Sequence, residues 1–372
     1  MKKKVLITGG AGFIGSHLCD ELISKGYDVV VYDNLIPQVH GIGQQRPDYL
    51  HPEVELIKGD VRDKRALTDA LHNVDVVYHF AARVGVGQSM YEIDEYTDVN
   101  NRGTAVLMEV LMERPVEKLV VASSMSIYGE GLYTSPSGQC YQSVARTMTQ
   151  LKAGDWELHD EQGNTLQPLA TPETKTPDLA SVYALSKYDQ EKLCLIAGKA
   201  YHIPTVALRF FNVYGTRQAL SNPYTGVLAI FASRYLNDKS PLVFEDGYQQ
   251  RDFVHVKDVA RACRLAMEVP EAAGEVFNVG SGNNYTIKEI AEKLAECLRK
   301  PNLPPQLTGK YRVGDIRHCF ADISKAGRIL GFRPEVDFRD GLNELAEWLK
   351  EQVAVDEVDK AADELSARGL TV

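Results

Sequence analysis

Tyr183 and Lys187 stand four residues apart in the stretch "SVYALSKYDQEKLCLIAG". If that stretch is helical, the phenol and the ammonium share one face. A phenol with a pKa of about 10 is a poor base at neutral pH, but a neighbouring positive charge stabilises phenolate and moves it toward a working range. The spacing alone also fits an ordinary exposed helical pair. Ser123, Ser124 and Ser126 add weight, because they close the apolar run of "VVASSMSIYG". Strand ends of that kind open into the ligand crevice of doubly wound sheets. Ser124, Tyr183 and Lys187 are therefore the catalytic candidates, and proton transfer is their chemistry.

A second pattern says what the proton transfer serves. In "TGGAGFIG" the glycines recur as Gly9-x-x-Gly12-x-x-Gly15, between an apolar run ("VLIT") and an amphipathic one. Such glycines permit a tight turn, a close approach of backbone to a pyrophosphate, and close helix-to-strand packing, while the helix N-terminus faces the phosphates. Asp33 follows Gly15 by eighteen residues, at the end of the next apolar run. A carboxylate there bonds ribose hydroxyls and repels a 2′-phosphate, so NAD is favoured over NADP. Its positively charged nicotinamide ring also stabilises a nearby phenolate.

These groups need a scaffold. "VELIKGDV", "VDVVYHFAA", "VEKLVVASS" and "PTVALRFFNVYG" repeat the apolar rhythm, each separated by enough chain for a helix. Strands apolar on both faces imply an α/β fold, a doubly wound parallel sheet covered on two sides. The expected organisation is an NAD-binding Rossmann domain over 1–213, carrying an insertion at about 130–178. A smaller, mainly substrate-binding α/β domain spans 214–322, with 256–280 able to return to the first sheet. Helices and a solvated tail or edge helix occupy 323–372. The 372 residues are 44% hydrophobic and carry a formal charge of −10, with no basic tract, which argues against a nucleic-acid partner. No run approaches a membrane span, and the expected location is cytoplasmic. Six scattered cysteines without a CxxC pair, and nine histidines without ligand spacing, point to no metal site.

With these motifs in hand, the chain resembles the extended short-chain dehydrogenase/reductases, in the nucleotide-sugar epimerase and dehydratase group. The likeness runs from Lys4 to about Leu345 through "TGGAGFIG", "DNL", "KGDVRD", "HFAA", "NNRGT", "SSMSIYG", "YALSK", "RFFNVYG", "QRDFVHVKDVA" and "RVGDIRH". The resemblance implies a cofactor site of Gly9, Gly12, Phe13, Ile14, Gly15, Asp33 and Asn34, with Asp60 and Val61 beside the adenine. Phe80, Ala81, Ala82, Asn100 and Phe210 would line the cofactor trough with Tyr183 and Lys187. Ser124, Ser126, Asn212, Arg251, Arg312 and Asp315 would hold the substrate, the arginines gripping a nucleotide diphosphate. It also implies a homodimer, packed through helices around Ile93 to Met112 and Ser181 to Tyr201.

Within the group, dehydratases follow the threonine with Asp-Glu, where this chain has Met125 and Ser126, and decarboxylating relatives place a glutamate at the position of Ser126. Neither carboxylate is present. Reversible oxidation remains, by which a hexose hydroxyl carbon, C4 by resemblance, is oxidised to a ketone and reduced on its other face. The insertion and "DNLIPQVHG" are similar to those of dTDP-L-rhamnose 4-epimerases. Alternatives are a UDP-glucose or UDP-glucuronate 4-epimerase, a net NAD-dependent sugar oxidoreductase, and a non-catalytic NAD-sensing module. The insertion itself reads as loop with at most one short helix, either a pocket lid or an external elaboration.

Overall fold

Val5, Leu6 and Ile7 are all fully buried, yet they enter two different cores. Val5 and Ile7 pack with Leu18, Val259 and Cys263, whereas Leu6 packs with Leu107, Leu111 and Cys194. Successive side chains of a strand face opposite ways, so a strand apolar at every position needs cover on both sides. This strand is β1 (Lys4–Thr8) of the computed structural model, which describes residues 2–371 apart from Gln44, Thr225 and Val313. Beside it lie β2 (Asp28–Asp33), β3 (Glu55–Lys58), β4 (Val76–His79), β5 (Lys118–Ser124), β6 (Thr205–Phe210) and β7 (Val276–Val279). They form one seven-stranded sheet of order β7-β6-β5-β4-β1-β2-β3, parallel at every pairing.

The sheet is covered by α1 (Phe13–Ser24), α2 (Gly103–Glu113), α3 (Val182–Ala200) and α4 (Val256–Glu268). α1 and α4 lie on one face, α2 and α3 on the other. Strand order reverses between β1 and β4, so their C-terminal ends part and open a crevice. Segment 256–280 supplies α4 and β7 to this body. A separate core gathers Phe231, Leu294 and Leu345 from helices Val227–Leu236, Ile287–Cys297 and Phe338–Leu349. No helix among the described residues is long and apolar enough to cross a membrane.

One segment differs from its sequence-based expectation, and another takes one of its two expected forms. The insertion is not simply a loop with a helix: strands Leu132–Thr134, Cys140–Tyr141 and Gln167–Leu169 form a small antiparallel sheet, alongside helix Met148–Lys152. Strands of two or three residues are too short to leave a periodic signal. The insertion is also tied down by charge. Arg317, 1% exposed, donates to Glu157 at 3.0 Å, Glu245 at 2.9 Å and Asp246 at 2.6 Å, and Arg146 donates to Glu245 at 2.7 Å.

Of its two expected forms, the C-terminal stretch takes the helix and not the solvated tail. Its helix α5 (Val358–Ala367) buries Ala361 and Leu365. Ion pairs from Arg234 and Lys239 to Asp356 and Asp359 hold its start.

Candidate active site

A cavity of about 660 Å³ opens at the C-terminal ends of the sheet strands, and it is lined by every candidate residue named above except Asn100. Its floor is the turn from β1 into α1. Gly9 has φ +68°, and a Cβ there would lie 2.8 Å from the backbone nitrogen of Ala81; a Cβ on Gly15 would lie 2.5 Å from the Cα of Gly10. Side chains are excluded from both places, and backbone lines the cradle instead. No side chain caps the start of α1, where Gly12 is the N-cap, so its first amides face the cavity side of the turn ready for an anion.

Asp33 ends β2 with a buried carboxylate, fixed by the amides of Ala11 (3.0 Å) and Leu35 (2.9 Å). Asp60 is gripped by Arg62 at 2.8 and 2.7 Å and by Asn34 at 3.2 Å. The Arg62 hydrogen bonds hold its carboxyl at about 2, below the ordinary range. Phe80 and Phe210 meet edge to face, 5.9 Å between centroids. Asn100 is one layer further back. It sits in a π-helical turn, Thr97–Arg102, and both ends of its amide are taken: Oδ1 accepts from the Arg83 amide at 2.7 Å, while Nδ2 donates to the Arg83 carbonyl and to Ser186. Fully buried, it fixes the loop after β4 rather than facing the cavity.

Ser124 is the last residue of β5, and its Oγ accepts from the Ser126 amide at 3.1 Å, capping the turn Met125–Tyr128. Tyr183 lies in the first turn of α3, whose N-cap Ser181 accepts from the Ala184 amide. The Tyr183 amide donates to Ser89 Oγ at 3.0 Å. Burial raises the Tyr183 phenol above its ordinary pKa, and a hydrogen bond with the Ser124 side chain acts in the opposite direction. The two hydroxyls therefore converge.

Lys187 departs from the simple expectation. Its ammonium, 3% exposed, donates to Gln190 Oε1 at 2.7 Å, and burial lowers its pKa to about 8. Gln190 in turn donates to Thr104, next to a His79 that burial keeps neutral, at about 3. The phenol is raised rather than lowered because desolvation dominates.

On the opposite wall, Asn212 Nδ2 donates to the Asp252 carbonyl at 3.0 Å. Arg251 gives its Nη groups to the carbonyls of Gln250, Ile316 and Arg317. Arg312 pairs with Asp315 at 2.8 Å and lies 4.7 Å above the Phe244 ring. Contributors that sequence reasoning missed include Arg83, Gln249, and the face of α5 bearing Val358, Ala361, Ala362 and Leu365, all of which line the cavity. Of these, only the i, i+3, i+4, i+7 spacing on α5 was a usable signal. Among the described residues no cluster of His, Cys, Asp or Glu could hold a metal ion.

Comparison with known proteins gives consistent matches. The NAD dependent epimerase/dehydratase family matches residues 5–149 and 160–280. A dTDP-L-rhamnose 4-epimerase of Burkholderia thailandensis is 35% identical over 94% of this chain and 96% of its own. A UDP-N-acetylglucosamine 4-epimerase from Methanobrevibacter ruminantium M1, solved with UDP-N-acetylmuramic acid, superposes with TM-score 0.76 at 31% identity, covering 95% of this chain and 100% of its own. A UDP-glucuronic acid 4-epimerase from Bacillus cereus, solved with UDP-glucuronic acid and NAD, gives 0.75 at 30% identity, covering 94% and 99%.

Proposed function

We propose that this chain, which belongs to the NAD-dependent epimerase/dehydratase family, inverts C4 of a nucleotide-linked hexose, with dTDP-L-rhamnose as substrate and dTDP-6-deoxy-L-talose as product. It is an NAD-dependent isomerase of nucleotide sugars. The observation that carries inversion, rather than loss of water, is the cavity wall shared by Ser124 and Tyr183, which continues with Met125 and Ser126, where no carboxylate stands.

The residues present fit the cofactor. Gly9, Gly12 and Gly15 leave the room that a pyrophosphate requires, with the amides of Phe13 and Ile14 at the helix start. Asp33 and Asn34 take the adenosine ribose, Asp60 and Val61 flank the adenine, and Phe80, Ala81, Ala82 and Phe210 line the trough, with Asn100 holding its loop. When bound, oxidised NAD supplies a positively charged ring that accepts a hydride from the carbinol carbon and later gives it back.

With bound NAD bringing positive charge beside it, Tyr183 ionises, losing its proton to solvent against the burial that raises it in the empty site; its phenolate Oη then takes the hydroxyl proton as the ketone forms and returns it after the ring has turned over. Ser124 Oγ hydrogen-bonds the same sugar oxygen and fixes its distance. Lys187, charged below about pH 8, keeps a cation one helical turn from the phenol. Arg251 and Arg312 bring positive charge to the diphosphate, with Ser126 and Asn212 orienting the substrate and Asp315 holding the Arg312 side chain. Grip at the diphosphate leaves the hexose free to turn. The exposed apolar side chains of Leu185 and Ile196 on α3, and of Ile93, suit a homodimer, which light scattering would test.

The direct test is incubation of the purified protein, with no NAD added, against dTDP-L-rhamnose and a panel of UDP-, GDP- and CDP-sugars, with products followed by NMR. Inversion at C4 of dTDP-L-rhamnose is expected. Stoichiometric release of NADH with an oxidised sugar would replace this reading with net oxidation.

A further inference from the structure

The helix α5 lies outside the ten motifs that link this chain to its family, yet it forms part of the cavity. Val358, Ala361, Ala362 and Leu365 all line it, and their spacing places them on one helical face. That face lies near the reacting groups. Leu365 approaches Gly87 so closely that a Cβ on Gly87 would be 3.4 Å from the Leu365 methyl. Gly87 belongs to the short helix Val86–Ser89, whose Ser89 hydroxyl accepts from the Tyr183 amide at 3.0 Å.

The wall is fixed rather than frayed. Glu364 accepts from the hydroxyls of Tyr91 (3.3 Å) and Tyr224 (3.1 Å), and the Arg368 guanidinium lies 4.3 Å above the Tyr91 ring. Thr371 forms an antiparallel bridge with Arg312. The buried Asp356 anchors the preceding turn to Arg234 and Lys239. Both ends of α5 are thus tied to the body, its start to Arg234 and Lys239 and its end to Tyr91, Tyr224 and, through Thr371, Arg312.

We infer that α5 is a specificity wall that selects nucleotide-linked 6-deoxyhexoses, setting its apolar face against the methyl group on C5 of the sugar. This rests on the nucleotide-sugar reading of the cavity. A methyl group there is buried against carbon. A hydroxymethyl group would lose its water without gaining a partner from four aliphatic side chains. A carboxylate would fare worse, because Arg83 is paired with Glu92 at 2.9 Å and Arg368 is stacked on Tyr91. An added hydroxyl in an apolar pocket is rejected by roughly 10- to 100-fold.

The test compares binding of dTDP-L-rhamnose with binding of dTDP-L-mannose, its counterpart bearing a hydroxyl on C6. Calorimetry is run on the Tyr183→Phe holoprotein, so that no turnover intervenes. The expected Kd ratio is at least about tenfold in favour of the 6-deoxy sugar. Leu365→Gln should narrow it to about threefold or less by offering the hydroxyl a partner, and Ala361→Ser, a milder change that keeps the fold, should narrow it partly. Equal affinities before substitution would overturn the inference, as would a ratio that both substitutions leave intact. If the ratio and its narrowing hold while the unsubstituted protein inverts neither sugar, epimerisation fails and the wall stands. If neither sugar binds, both readings fall.

Discussion

The docking of α3, which carries Tyr183 and Lys187, depends on one buried ion pair, and its loss has a calculable cost. Arg209 on β6 grips Glu191 on α3 with a two-pronged contact, Nε to Oε2 at 2.9 Å and Nη2 to Oε1 at 2.8 Å. The two residues are 3% and 0% exposed. Ser123, next to Ser124, donates to the same carboxylate at 2.7 Å, and Arg209 also reaches the Tyr128 hydroxyl at 2.8 Å. Burial by itself pushes the Glu191 carboxyl up, but the hydrogen bonds and charge of Arg209 outweigh it and leave it below its ordinary value.

Two charges about 4 Å apart at an effective dielectric of about 20 attract by about 4 kcal/mol. Stranding one partner of a buried pair costs about 3–5 kcal/mol. Arg209→Met should therefore destabilise the protein by about 4 kcal/mol. With about 2.1 cal/mol/K of unfolding entropy per residue, that lowers Tm by about 5 °C in a chain of this length. Lys192, 3.6 Å from Glu191 and half-exposed, is too solvated to substitute for a guanidinium. Arg209→Met with Glu191→Met removes both charges together and should recover more than half of the loss, the remainder being the unpaired Ser123 hydroxyl at about 1 kcal/mol, since Tyr128 keeps its hydrogen bond to Asn278 at 2.7 Å. Calorimetric unfolding of the two variants decides it. A single substitution costing less than about 1 kcal/mol, or a double variant less stable than the single, would refute the stranded-charge reasoning.

Other outcomes follow from the site. Tyr183→Phe should lower kcat by at least about 10²–10⁴-fold, leaving NAD content and nucleotide-sugar binding unchanged, as read by steady-state rates and calorimetry. Gly15→Ala sets a methyl against the Gly10 backbone at 2.5 Å. The displaced turn should cut bound NAD by about tenfold or more, measured by releasing cofactor from the purified protein. The depressed pKa of Lys187, about 8, predicts a definite sign. Between about pH 8 and its unfolded value of about 10.4 the unfolded chain holds more protons, so the stability of the apoprotein gains with rising pH. Lys187→Met should be the more stable protein at pH 7, with an advantage that shrinks across that window in thermal melts.

The large sheet was legible because most of its strands carry apolar residues on both faces, and the glycine cradle because backbone geometry there admits only one residue type. Long-range polar geometry was not legible. Arg146 and Glu157 find Glu245 and Arg317 from about 100 or more positions away, and no local period records such a pairing. Asn100 was placed in the trough by resemblance, but its amide bonds the Arg83 backbone, a choice set by the π-helical turn. The wall formed by α5 was obscured by its charges: the exposed Asp359 and Asp363 made the segment read as a solvated tail or edge helix, although Val358, Ala361 and Leu365 carried a helical stripe.

In this mechanism one hydrogen leaves the sugar carbon and returns to that same carbon. That return is tested most directly with dTDP-L-rhamnose carrying deuterium at C4, mixed with unlabelled sugar of another mass and turned over in ordinary water without added NAD. Mass spectrometry of the talose product should find the label still at C4, on the molecule that brought it. Washing of the label into solvent, or its appearance on the unlabelled partner, would contradict the account.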